Sequence, residues 1–190
     1  REIINFNYCM KLEGKNMIGL MTSADGQNFF NAINPVTTQK IEPQFCEATS
    51  NEIDSAVKKS YEAFQVYRNI SGKKRAEFLI SIAEEILALD KILIERCMEE
   101  TGLAEARLLN ERQRTVNQLR MFAALLDEGS WVDSRIDLAQ PDRKPLPKPD
   151  IRSMQKPLGP VGIFGASNFP FAYSVAGGDT ASALAAGCTV

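Results

Sequence analysis

The chain contains no histidine. That one absence excludes a Ser-His-Asp or Cys-His nucleophile pair built within it, and any His-ligated zinc site. Cysteine is sparse: Cys9, Cys46, Cys97 and Cys188 lie far apart with no C-x-x-C pair. This spacing argues against a zinc ribbon, a thioredoxin-type centre and a dense disulfide framework. Neither sign of charge is in excess. With Lys+Arg 22 against Asp+Glu 24, the net charge of -2 leaves no electrostatic footprint for nucleic acid. The residues up to Met10 carry no apolar run of signal-peptide type. The longest apolar stretch, 161–190, is broken by Asn168, Pro170, Gly177, Gly178 and Asp179, so it is no membrane span. What remains is an ordinary globular mix of 190 residues, 44% hydrophobic and 24% charged. A cytoplasmic, reducing compartment is expected.

Residues 11–48 read as β-rich, with Asp25-Gly26 as a hairpin turn between Ile18, Leu20, Met21 and Phe29, Phe30, Ile33. Asn34-Pro35 marks a second turn. Thr49 and Glu52 form a capping box, and behind it Ile53, Ala56, Val57, Ser60, Tyr61 and Phe64 keep helical spacing as far as Arg68. Ser71 caps a second helix whose stripe is Ala76, Leu79, Ile80, Ala83, Ile86 and Leu87. Asp90 opens a third, stopped by Gly102. A fourth spans about Ala104 to Asp127, burying Leu109, Val116, Leu119, Phe122, Ala123 and Leu126, with Gly129 at its end.

The Pro-rich stretch that follows, with Pro145, Pro147 and Pro149 at alternate positions, demands an extended backbone and reads as a linker or an edge-strand arm. Residues 160–165 then read as a buried strand, 166–170 as a loop, and a helix of small residues runs through Ala176, Ala181, Ala183, Ala185 and Ala186 to Gly187. Cys188-Thr189-Val190 would begin another strand, completing a β-α-β unit of a parallel sheet. A strand opening there needs later partners. The expectation is therefore a fragment, with a native start at Met10 and residues 1–9 outside the native structure.

Chemistry is hard to place from residue types alone. The β-α-β unit ranks as a cofactor crevice, but the G-x-G-x-x-G fingerprint is missing: Gly159, Gly162 and Gly165 are spaced three apart. Small residues that simply bring helix and sheet close explain the pattern as well. Asn168, after the strand, has an amide able to donate to an oxyanion, although an Asn in a loop more commonly bonds its own backbone. Cys188 has no His or evident cation beside it, so a small core residue is expected. Glu100 and Asp179 read as solvated or capping groups.

One run is far more specific. Residues 156–170, KPLGPVGIFGASNFP, resemble the NAD(P)-dependent aldehyde dehydrogenase superfamily. Asn34-Pro35-Val36-Thr37, Ala63-Phe64, Arg75-Ala76, Glu100-Thr101-Gly102 and Leu119-Arg120-Met121-Phe122-Ala123 fall in that family's order. The resemblance covers nearly everything after Met10, as the N-terminal part of a member. Residues 102–108, Glu111-Arg112, Arg114-Thr115, 145–150 and 176–188 (AGGDTASALAAGC) are similar to the alpha-ketoglutarate semialdehyde dehydrogenase branch.

The resemblance implies an incomplete α/β aldehyde dehydrogenase-like fold. Residues 10–140 would be the N-terminal part of the cofactor-binding domain, 141–156 an oligomerisation-type arm, and 157–190 the start of the parallel cofactor-binding sheet. It implies oxidation of an aldehyde to an acid with NAD or NADP, through a Cys thiolate adduct and a Glu-activated water. Asn168 would stabilise the oxyanion; Phe164, Gly165, Ala166 and Ser167 would lie along the cofactor; Phe169 and Tyr173 would line the aldehyde tunnel. The family's general class has Trp where Ser167 stands. The Cys and Glu have no match within the chain, so residues 1–190 alone are expected to be inactive. Arg114, aligned nearer the tunnel mouth than Arg112, would bind the far carboxylate of a keto-acid aldehyde; the competing reading is an Arg on a solvated face. The implied partners are a small-molecule aldehyde and further copies of the chain, with no nucleic acid, membrane or metal. Another branch of the family, or a non-catalytic module keeping the fold, stays open.

Overall fold

The computed structural model describes residues 12–190; Cys9 and the expected start at Met10 lie outside the described residues. Strand β1 (Asn16–Ile18) turns back into β2 (Met21–Ser23), with Ile18 opposite Met21. Strand β3 (Phe29–Ile33) pairs antiparallel with β4 (Lys40–Cys46). Asn34 makes the second turn: its Oδ1 accepts from the amides of Val36 (2.9 Å) and Thr37 (3.1 Å). Asp25-Gly26 is not the hairpin turn expected, because β2 and β3 do not pair. The tight turn falls at Gly19-Leu20 instead, where Gly19 takes a φ of +64° open to glycine without strain.

Helix α1 (Ser50–Tyr67) starts on the expected capping box: Thr49 Oγ1 accepts from the Glu52 amide (3.2 Å), and Glu52 Oε2 accepts from the Thr49 amide (2.8 Å). Helix α2 (Gly72–Ala88) is capped by Ser71, whose hydroxyl accepts from the Lys74 amide (3.4 Å). Helix α3 (Asp90–Thr101) stops at Gly102, and α4 (Glu105–Glu128) at Gly129, both glycines left-handed.

The core lies between α2, α4 and α5 (Gly178–Ala186). Ala76, Leu79 and Ala83 face Val116, Leu119, Ala123 and Leu126, and the small residues Ala181 and Ala185 let α5 pack closely against both. Leu79 and Leu119 are fully buried, each contributing about 1.5–3 kcal/mol. Three details differ from the expected stripes, the first being that Ile80 on α2 is exposed. On α4 the buried leucine is Leu108 and the exposed one Leu109, because Leu108 packs with Ile94 and Cys97 of α3. On α1 only Phe64 of the apolar stripe is buried; Ile53, Val57 and Tyr61 are exposed because no element among the described residues covers them. Ala56 and Ser60 wall two clefts there, of about 650 and 430 Å³.

Helix α5 begins two residues later than Ala176. The Gly177 amide donates to Ser174 O (2.9 Å) and the Gly178 amide to Ala172 O (3.0 Å), closing a turn that precedes the helix. A Cβ on Gly177 would sit 2.5 Å from Ala172 O, so no side chain fits. At the other end, Tyr67 Oη donates to Leu184 O (3.0 Å), which also accepts from the Gly187 amide, and Arg75 Nη1 donates to Ala185 O (2.8 Å), a carbonyl the helix end leaves open.

A short 3₁₀ turn (Ser130–Val132) leads into β5 (Arg135–Asp137), which pairs antiparallel with β6 (Ile151–Ser153). Gln140 and Lys148 bridge the same hairpin, so Pro145 and Pro147 sit at its exposed end. Residues 160–165 and 188–190, expected as neighbouring strands, are joined by one backbone bond, Val161 N–H to Thr189 O (2.8 Å), and form no ladder. Phe164 is 92% exposed rather than buried, since nothing among the described residues packs over it. A parallel pair gains little from a single rung; its ladder strengthens when neighbours flank it.

Candidate active site

Helix α4 carries one side of the site. Arg107, Glu111 and Arg114 are four and then three residues apart, which puts them on one face. The turn at 167–176 carries the other side. It holds Asn168, Phe169 and Tyr173 against α4.

Glu111 is the anchor. It is only 5% exposed, and its Oε1 accepts from the amides of Phe171 (2.9 Å) and Ala172 (3.1 Å). Its Oε2 makes no hydrogen bond but lies 3.6 Å from Arg107 Nε, an ionic contact beyond hydrogen-bond reach. Arg107 in turn donates from Nη2 to the Asn168 carbonyl (3.1 Å) and stands over the Phe169 ring at 5.3 Å. Phe169 meets Tyr173 edge to face, with centroids 5.4 Å apart. Arg114 Nη2 donates to Tyr173 Oη (3.1 Å), and its guanidinium also lies 5.7 Å from that ring. A cavity of about 310 Å³ lies behind the turn, lined in part by Thr115, Pro170, Phe171 and Ser174.

Asn168 itself is exposed, and its side-chain amide has no hydrogen-bond partner among the described residues. The backbone is held while the amide is left open to solvent. Residues 164–167 dock on the turn through the Ala166 amide, which donates to Tyr173 O (2.8 Å). A Cβ on Gly165 would lie 3.3 Å from the same Tyr173 oxygen, so the missing side chain lets the backbone close in. The stretch is otherwise exposed.

The structure thus brings Asn168, Phe169, Tyr173 and Arg114 together, with 164–167 adjoining them. Arg112 diverges as its spacing requires, donating to Asp90 O (3.2 Å) at the α2–α3 junction. Glu100 pairs with Arg96 at 2.6 Å, and Asp179 lies in the first turn of α5. Cys188 is a core residue, 4% exposed. A cation does lie near it: Arg75 and Tyr67 are its electrostatic neighbours. The larger cleft of about 650 Å³ lies elsewhere, against Tyr67, Leu184 and Thr189, and shares no lining residue with the Asn168 turn. Among the described residues no three His, Cys, Asp or Glu side chains gather as a metal site. No helix among them is long and apolar enough to cross a membrane.

Arg107 and Glu111 entered the sequence reading only within the branch resemblance, with no site role assigned. The available signal is a carboxylate at a core position: Glu111 falls three residues after Leu108 and four before Thr115, both buried. A buried carboxylate needs partners, and Arg107 one turn earlier is the first to look for.

A family model described as "Aldehyde dehydrogenase family" matches residues 21–190. The alpha-ketoglutaric semialdehyde dehydrogenase 2 of Azospirillum brasilense is 48% identical over 182 residues, covering 95% of this chain and 35% of that protein. An alpha-ketoglutaric semialdehyde dehydrogenase of Acinetobacter baylyi is 45% identical, covering 93% of this chain and 34% of that protein. The chain therefore spans about a third of the length of the curated relatives it matches. Among solved structures, betaine aldehyde dehydrogenase from Staphylococcus aureus in complex with NAD+ superposes with a TM-score of 0.77 at 21% identity, over 92% of this chain and 33% of that one. At that identity the likeness speaks for the fold alone, an α/β architecture shared over nearly the whole described chain.

Proposed function

This chain belongs to the aldehyde dehydrogenase family, and from that premise we propose that the full-length protein oxidises an aldehyde bearing a distant carboxylate, alpha-ketoglutarate semialdehyde, to the acid. The observation that carries the reading is the Arg114–Tyr173 pair beside the open Asn168 amide. A guanidinium and a phenol hydroxyl 3.1 Å apart make a fork-shaped donor set for a carboxylate. The Phe169 and Tyr173 rings form an apolar wall for the carbon chain between that carboxylate and the aldehyde. The names of the two curated relatives support the same substrate.

In this reading Asn168 donates its amide to the carbonyl oxygen as that oxygen gains charge. Such a donor acts most strongly in the transition state, so it raises turnover more than affinity. Phe164, Gly165, Ala166 and Ser167 would hold NAD or NADP along their exposed backbone. The dinucleotide, when bound, supplies the hydride acceptor. The attacking Cys and the Glu that activates water have no counterpart in residues 1–190, which on their own are proposed not to oxidise aldehydes. Residues 141–156, which include β6, serve as an oligomerisation arm between copies of the full-length protein in the cytoplasm.

The test is an assay of the full-length protein with NAD+ and with NADP+, comparing alpha-ketoglutarate semialdehyde with an uncharged aldehyde of similar length. A higher kcat/KM for the keto-acid aldehyde is expected. Preference for the uncharged aldehyde would move the protein to another branch of the family, and no oxidation of either would favour a scaffold role.

A further inference from the structure

We infer that Glu111 is a positioning residue that acts through Asn168. The inference rests on the reading of Asn168 as the oxyanion donor. It comes from how the turn is gripped. Residues 168–172 are held at both ends by one pair of side chains a helical turn apart on α4. Glu111 Oε1 takes the Phe171 and Ala172 amides at 2.9 and 3.1 Å, and Arg107 takes the Asn168 carbonyl at 3.1 Å. The two side chains are themselves linked, Arg107 Nε lying 3.6 Å from Glu111 Oε2.

A buried carboxylate is a costly way to satisfy two amides unless its charge is used. Here the charge has two uses. It strengthens two backbone hydrogen bonds, and it draws the Arg107 guanidinium into the place from which Nη2 reaches the Asn168 carbonyl. Held from both sides, the Asn168 backbone has little freedom, which fixes the point from which its side chain departs. The Phe169 ring, under Arg107, is fixed by the same contact.

Glu111→Gln keeps the shape and one acceptor oxygen but removes the charge and turns an N–H₂ group toward Arg107. The experiment measures kcat, KM and melting temperature of the full-length protein for Glu111→Gln, in the native background and in an Asn168→Ala background. In the native background kcat should fall by about tenfold with KM nearly unchanged, as expected for a small misplacement of a reacting group. In the Asn168→Ala background the same substitution should change kcat by less than about twofold, because the group it positions is gone. Arg107→Met, at a half-exposed position where folding is not threatened, should lower kcat in the same background-dependent way. Equal losses in both backgrounds would overturn the positioning role while leaving Asn168 as the donor. An Asn168→Ala enzyme with undiminished kcat would overturn the reading of Asn168, and the inference with it.

Discussion

Arg75 on α2 donates from Nη1 to the carbonyl oxygen of Ala185 at 2.8 Å, joining residues 110 apart in sequence. The contact closes the C-terminus of α5, where the helix leaves carbonyls unpaired and its dipole favours a cation. Arg75 also stands 5.7 Å from the Trp131 ring. Burial draws its guanidinium below the ordinary value, but an Arg remains charged under any native condition. The left-handed Gly187 completes the cap: at φ +91° a Cβ would meet Arg75 Nη1 at 2.4 Å.

Arg75→Met should therefore destabilise the fold by about 2–3 kcal/mol, the cost of stranding a buried carbonyl and losing a charged hydrogen bond. Arg75→Lys should recover only part of that, since an ammonium lacks the planar fork. Thermal melting of the full-length protein checks it. Turnover per folded molecule is expected to stay near normal, because Arg75 touches none of the Asn168 turn.

Glu52 gives a pH dependence of known sign. The Ser23 hydroxyl, with the Thr49 amide next, holds its carboxyl at about 2, down from 4.5. Its Oε1 also accepts from the Asp25 amide at 3.3 Å, so one carboxylate ties the loop after β2 to the start of α1. A lowered pKa stabilises the folded state fully above 4.5, and that stabilisation drains away as pH falls toward about 2. Glu52→Gln should be less stable than the native protein at neutral pH, and the gap should close between 4.5 and about 2. Urea midpoints of both proteins across that range measure it; a gap independent of pH would remove the charge from the explanation.

The carboxylate-binding role proposed for Arg114 predicts an effect that depends on the substrate. Losing one charged hydrogen bond to a carboxylate costs about 1.5–3 kcal/mol. Arg114→Ala should thus raise KM for alpha-ketoglutarate semialdehyde by about tenfold or more, and KM for an uncharged aldehyde of similar length by less than about twofold. Steady-state kinetics on both substrates decide it. Equal effects would return Arg114 to an ordinary place beside Tyr173.

The legible parts of this chain were those written in local chemistry. The Thr49–Glu52 box, the Ser71 cap and the Gly102 and Gly129 stops each depend on residues within one helical turn, and all formed as read. Periodicity failed where burial depends on a partner. Leu108 and Leu109 fit α4 equally well by spacing, and the packing of α3 chose Leu108. Ile53, Val57 and Tyr61 have helical spacing but no cover among the described residues. In the candidate site, Asn168 was singled out because it follows a strand-like run, whereas Glu111 entered only as part of the Glu111-Arg112 resemblance, with no role attached. Its meaning lies in two backbone amides 60 and 61 residues away, which no local pattern contains.

The most direct measurement is kcat of the full-length Asn168→Ala enzyme, taken with KM and melting temperature on the same preparation. Removal of one oxyanion donor should lower kcat by roughly 10²–10³. KM and melting temperature should hardly move, because the Asn168 amide is exposed and bonds nothing among the described residues. A falling melting temperature with near-normal turnover would instead make Asn168 a residue that merely braces its own loop.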